Sequence, residues 1–123
     1  MANPNIVNVT SIYGNTSYLI PTTTGVTTWT ALTPAVNTVN KVNNIVASNV
    51  TGSAVNVTVS INSATGGGGT AYRIAFQISV PANASLIIVD KTTSIYVGEA
   101  QSIVATVGTA NAIELTASYE ALT

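Results

Sequence analysis

The chain contains no cysteine and no histidine. The first absence excludes a disulfide framework, thiolate metal centres and thiol chemistry. The second removes the side chain most used for proton transfer near neutral pH, and with it Ser-His-Asp triads, Cys-His pairs and His-ligated zinc. Charge is nearly as scarce. Lys41, Arg73, Asp90, Lys91, Glu99, Glu114 and Glu120 make up 6% of 123 residues, with a formal net charge of −1, where an ordinary soluble domain is about 25% charged. Three cations are too few for the repeated phosphate contacts that nucleic-acid affinity needs, so no nucleic-acid partner is expected. No apolar run reaches the roughly 18 residues of a membrane helix, and "MANPNIVNVTSIYG" lacks the basic start and apolar centre of a signal peptide. No membrane partner is expected either.

What remains is apolar or neutral and polar. A hydrophobic content of 46% is enough to drive a core, and 123 residues suit a single domain over 1–123. The surface must then be made of Thr, Asn and Ser. A neighbour covers such groups at lower desolvation cost than charged ones, and a net charge near zero does little to hold copies apart. These traits predict a chain that packs against other molecules, copies of itself included.

The β-branched residues Val, Ile and Thr dominate the composition and suit a pleated sheet better than a helix. In "SAVNVTVSIN", Val55, Val57, Val59 and Ile61 alternate with polar residues, which predicts a strand with one buried face. "AYRIAFQISV" has the same period, so Ala54–Asn62 and Ala71–Val80 are predicted to pair as a hairpin with Tyr72 and Phe76 facing inward. "AIELTASYEA" places Ile113, Leu115, Ala117 and Tyr119 on its inner face. "KVNNIVASNV", "ASLIIVD", "SIYVG" and "SIVATVG" are shorter strand candidates, each ended by a turn. Leu86 to Val89 does not alternate, which predicts cover on both faces. The count is seven strands between about Val39 and Leu122, and seven to nine with the N-terminal part. The predicted fold is all-β, an antiparallel sandwich of the immunoglobulin-like or jelly-roll-like kind.

Residues 1–35 are less regular. They fit either edge strands that complete the sandwich or an N-terminal arm that adds a strand to a neighbouring subunit. Tyr13, Tyr18 and Trp29 lie here, and three roles are open to them: ordinary packing, a stacking platform for a sugar, or anchors in a protein interface, where Trp and Tyr are enriched. Together with Ile6, Val7 and Val9 they are the candidate interface residues.

Gly66–Gly69, four glycines in a row, raise the question of a phosphate-binding loop. Such a loop needs a following helix and a Lys-Ser/Thr pair, and here a strand pattern follows with no lysine near. A mobile hairpin tip is the expectation. Among the carboxylates, Glu114 and Glu120 share a strand face but stand roughly 20 Å apart, beyond the ~5–10 Å of a glycosidase pair. Pairs from different strands stay open. "DKTTS" is no calcium loop, and a hydrolase using Asp90 or Glu99 lacks partner groups. No catalytic residue, metal or cofactor is expected.

Four segments, "ANPNIVNVTSIYG", "VNNIVASNVTGSAVNVTVSI", "ISVPANASLIIVDKTTSIYVGEAQSIVATV" and the closing "SYE", carry a resemblance. Together they resemble small virion structural proteins of tailed bacteriophages, of the type encoded by large marine myophages. The likeness spans roughly residues 1–13 and 42–120, with the glycine loop as a local insertion. It implies a non-enzymatic protein located in the virion after synthesis in the host cytoplasm. The role expected first is capsid decoration (cement), with the major capsid protein and further copies of the chain as partners. A tail, baseplate, neck or fibre component is the alternative, and a glycan-binding module on the virion surface is a second.

Overall fold

Alternation along the longest strands decides which faces meet. The computed structural model describes residues 8–123. Among them are nine strands: β1 (Ile12–Leu19), β2 (Thr27–Thr28), β3 (Val39–Asn49), β4 (Val55–Asn62), β5 (Ala71–Val80), β6 (Ser85–Val89), β7 (Ile95–Val97), β8 (Ser102–Val107) and β9 (Ile113–Leu122). One sheet runs β1-β9-β3-β6, with β7 paired to the other half of β3, and the second runs β2-β8-β4-β5. Every pairing is antiparallel. Val42, Ile45 and Ala47 of β3 and Ile113, Leu115 and Ala117 of β9 share one core with Val55, Val57 and Val59 of β4 and Ile103, Ala105 and Val107 of β8. The protein is an all-β sandwich, with the seven strands that the sequence spacing requires from Val39 onward. The N-terminal strand forms at Ile12–Leu19, downstream of the apolar "NIVNV".

Two strands differ from their patterns. In β5 the expected inward Tyr72 and Phe76 are 61% and 54% exposed. The pairing of β4 with β5 shifts register between Val57 and Val59 and again between Val59 and Ser60. Each shift sets two residues of β5 against one of β4, and an extra residue reverses which face the next side chains take. Gln77, at φ 48°, lies in the first bulge, where its N–H donates to Thr58 Oγ1 at 2.9 Å. Phe76 lies instead beneath the Arg73 guanidinium, 5.0 Å from its ring centre. Tyr72 stays opposite Ile61, at the strand end where the core no longer covers it. The second correction is β6. Its apolar run forms an edge strand, and Ile87 is 64% exposed rather than covered on both sides.

Trp29 joins the two sheets. Its N–H donates to Ile103 O of β8 at 2.8 Å. Its indole, 1% exposed, crosses the core and donates from Nε1 to Ser17 Oγ of β1 at 3.0 Å. Ser17 is itself buried, so the bond satisfies a donor that water cannot reach.

The glycine-rich connection is not a free tip. It folds back over the outer face of the four-stranded sheet around the buried Asn62 amide. Asn62 Nδ2 donates to Gly67 O and Gly69 O, and Asn62 Oδ1 accepts from the Ala64 and Gly69 N–H groups. Thr28 Oγ1 donates to Gly66 O at 3.1 Å and Ser102 Oγ to Ala64 O at 2.6 Å. Gly67 has φ +78°, and a Cβ there would lie 2.6 Å from Thr28 Oγ1 and 3.1 Å from Val104 Cγ1. The glycine thus lets backbone lie directly on the sheet. Asn49 does similar work between β3 and β4. Its Nδ2 donates to Ser53 O at 2.7 Å and Val80 O at 3.0 Å, and its Oδ1 accepts from Thr51 N and Oγ1.

Trp29→Ala should lower unfolding stability by about 3–5 kcal/mol. Ser17→Ala should lower it by about 1–3 kcal/mol, the cost of leaving the buried indole N–H unmet. Denaturant titration followed by circular dichroism reads both, and a Ser17→Ala protein as stable as the parent would contradict the bridging role.

Candidate functional site

The candidate interface residues do not form one surface. Ile6 and Val7 lie outside the described residues, and Val9 is half-buried. Trp29 is enclosed by the fold itself, a correction to its expected place at an interface: the Ser17 hydroxyl gives its polar end a partner inside the core. Tyr13 and Tyr18 are 60% and 78% exposed, yet their odd and even positions on β1 put them on opposite faces of the sheet. A stacking platform of all three aromatics is therefore not assembled. Tyr13 instead meets Tyr119, Pro34 and Ala121 at a cleft of about 310 Å³ at one end of the sandwich.

A wider, open groove of about 490 Å³ lies on the outer face of the five-stranded sheet. Lys41, Asp90, Lys91 and Glu120 line it with Asn43, Asn44, Val46 and Ile87. Most of the chain's few charges thus gather in one place, two of each sign. Lys41 and Glu120 are directly opposite on β3 and β9. The shift in the β3–β9 ladder between Val42 and Asn44 makes room beside them. There Asn43 Nδ2 donates to Glu120 Oε1 at 3.2 Å, and Asn44 Oδ1 accepts from the Ser118 N–H at 3.0 Å. These residues come from distant points in the chain, and no spacing in the sequence announces the cluster.

The rim of the groove is a 3-10 turn, Lys91–Thr93, capped by Asp90. Asp90 Oδ1 accepts from the N–H and Oγ1 of Thr92 and of Thr93, and Thr93 Oγ1 accepts in return from the Asp90 N–H. The Thr92 hydroxyl above all, and then the two backbone donors, hold the Asp90 carboxyl below its usual value of 3.8. The short "DKTT" run is the one sequence signal that points here, as a reciprocal cap. Oδ1 thus serves as the acceptor that closes the cap. Glu99 is buried, and its Oε2 accepts from the Asn37 N–H at 2.6 Å. Among the described residues no cluster of three or more His, Cys, Asp or Glu side chains is placed to hold a metal ion.

No protein-family model matches the chain, and no curated protein is significantly similar to it. The geometry is then the basis for reading the surface. It offers a balanced, open groove and, beside it on the same face, a row of uncharged side chains. Tyr18, Thr116, Val46 and Ile87 stand in line across β1, β9, β3 and β6. That row can be covered by another protein at small desolvation cost.

Asp90 generates a pH test. Its folded value is depressed, so the stabilisation from the cap is complete above 3.8 and is lost as pH falls through the folded value below it. An NMR titration should place the Asp90 midpoint below 3.8, and Thr92→Val should move it up. A midpoint unchanged by Thr92→Val would show that the hydroxyl is not the main cause.

Proposed function

We propose that this chain is a non-enzymatic structural protein of a tailed-phage virion, acting as a capsid decoration protein that binds the major capsid protein and further copies of itself. The observation that carries the reading is the outer face of the five-stranded sheet. Beside its charged groove it presents an uncharged cross-strand row with Tyr18, Thr116 and Ile87 exposed. Burying hydroxyl and apolar groups of this kind against a lattice gains apolar contact without stripping water from ions. Each added contact must be broken before neighbouring capsid subunits separate, which is how a small bound protein resists expansion pressure.

The resemblance of the strand and turn segments to phage virion proteins supports the same reading, as does the shortage of acid–base groups. The chain has no histidine or cysteine, and Asp90 is committed to its own turn. Localisation in the virion follows from the proposal.

Quantitative mass spectrometry of purified virions tests it. A decoration protein should be present in numbers comparable to the major capsid protein, and heads lacking it should disrupt at lower temperature. A handful of copies per particle would replace the head assignment with a tail, baseplate, neck or fibre role. Absence from the virion would overturn the reading altogether.

A further inference from the structure

The open edges of the two sheets are not alike. β2 has two residues. β5 carries two bulges and Arg73. β6 and β7 are short and separated by the capped turn with Lys91. All of these are devices that discourage another chain from adding on. β1 has none. It is eight residues long, "IYGNTSYL", with no charge and no proline, and it pairs with β9 through an unbroken register from Ile12 to Leu19. Among the described residues no strand pairs with its other side.

The hydrogen bonds at the end of the ladder show which groups are available. Ser11 and Thr123 exchange both N–H···O bonds. Bonded residues alternate along an antiparallel strand, so Tyr13, Asn15, Ser17 and Leu19 bond toward β9. The N–H and C=O groups of Ile12, Gly14, Thr16 and Tyr18 point outward.

We infer that β1 pairs antiparallel with β1 of a second copy about a two-fold axis at Asn15, joining two five-stranded sheets into one. In this register Ile12 stands opposite Tyr18 of the second copy and Gly14 opposite Thr16, so every outward donor between them meets an acceptor. Ile12 and Tyr18, 57% and 78% exposed in the single chain, cover one another on both sides of the axis. The two-fold brings no like charges together because the strand has none. Gly14 fits the same arrangement. A Cβ there would meet nothing within 4 Å, so the fold of one chain does not require glycine at this strand position. In the pair, Tyr18 of the second copy lies diagonally across from it, and a glycine in a strand commonly marks such an approach. A second copy is therefore the occupant that this edge fits, and the pairing deepens the self-contact named in the proposed function.

Sedimentation velocity on the full chain over a concentration series tests the pairing. A reversible monomer–dimer equilibrium is expected. Thr16→Pro removes an outward N–H and no bond to β9, and should raise the dimer Kd by at least ~tenfold. Tyr18→Lys alters a side chain that is exposed in the monomer, keeps the melting temperature, and should weaken the dimer in the same direction. Asn15→Cys, the chain's one thiol, should cross-link to itself on oxidation, since facing residues of a non-hydrogen-bonded pair are within disulfide reach. A strictly monomeric chain, or a dimer that survives both Thr16→Pro and Tyr18→Lys, overturns the proposal. A monomer would leave the edge for a strand of another protein and leave the virion reading standing; a low copy number in virions would do the reverse.

Discussion

Buried asparagine amides hold this sandwich in register at the places where a more ordinary domain would use ion pairs or disulfides. Asn49 and Asn62 each sit at the end of a long strand and are almost wholly enclosed. Each uses both ends of its amide, donating twice and accepting twice. Asn40, also buried, reaches from β3 to Leu32 O at 3.0 Å and ties down the turn that follows Trp29. A neutral amide can be buried this way because its donors and acceptors are fully paired, and no charge has to leave water. The scarcity of ions and the tidy loops are two aspects of one solution.

The same chemistry shapes the exterior. One sheet has its outer face partly roofed by the glycine-rich loop, which seals Thr28 and Val104. The other leaves its outer face open, with a balanced quartet of charges in a groove. The molecule is therefore two-sided, with a finished face and a receptive one. On the proposed reading the asymmetry has a use. A protein set into an assembly would use it to distinguish the side that is covered from the side that meets solvent.

Much of this was legible in the sequence wherever alternation was strict. β4 and β9 bury the residues their patterns assign, from Val55 to Val59 and from Ile113 to Ala117. The failures have particular causes. Phe76 has the right spacing but sits in a bulge, and no local signal says that its neighbour Gln77 will adopt φ 48° and shift the phase. Leu86 to Val89 looks like an interior strand because apolar runs are expected to be covered; position in the sheet order decides that, and the order is set by pairings far apart in the chain. Trp29 is read as an anchor only while Ser17 is unknown as its partner. The charged groove was invisible because its residues meet only when β3, β6 and β9 are assembled. Periodicity reports local faces; it carries no information on what a distant strand brings to them.

The position of β9 has a consequence for biosynthesis. It lies between β1 and β3 and bonds along nearly the whole of both. While the ribosome is still making the chain, β1 and β3 have no partner to separate and join them, and the first sheet cannot close until β9 emerges. Nascent and prematurely terminated chains thus present two long unsatisfied edges at once, a state prone to clumping. A substitution that loosens β9 therefore opens both edges together rather than one.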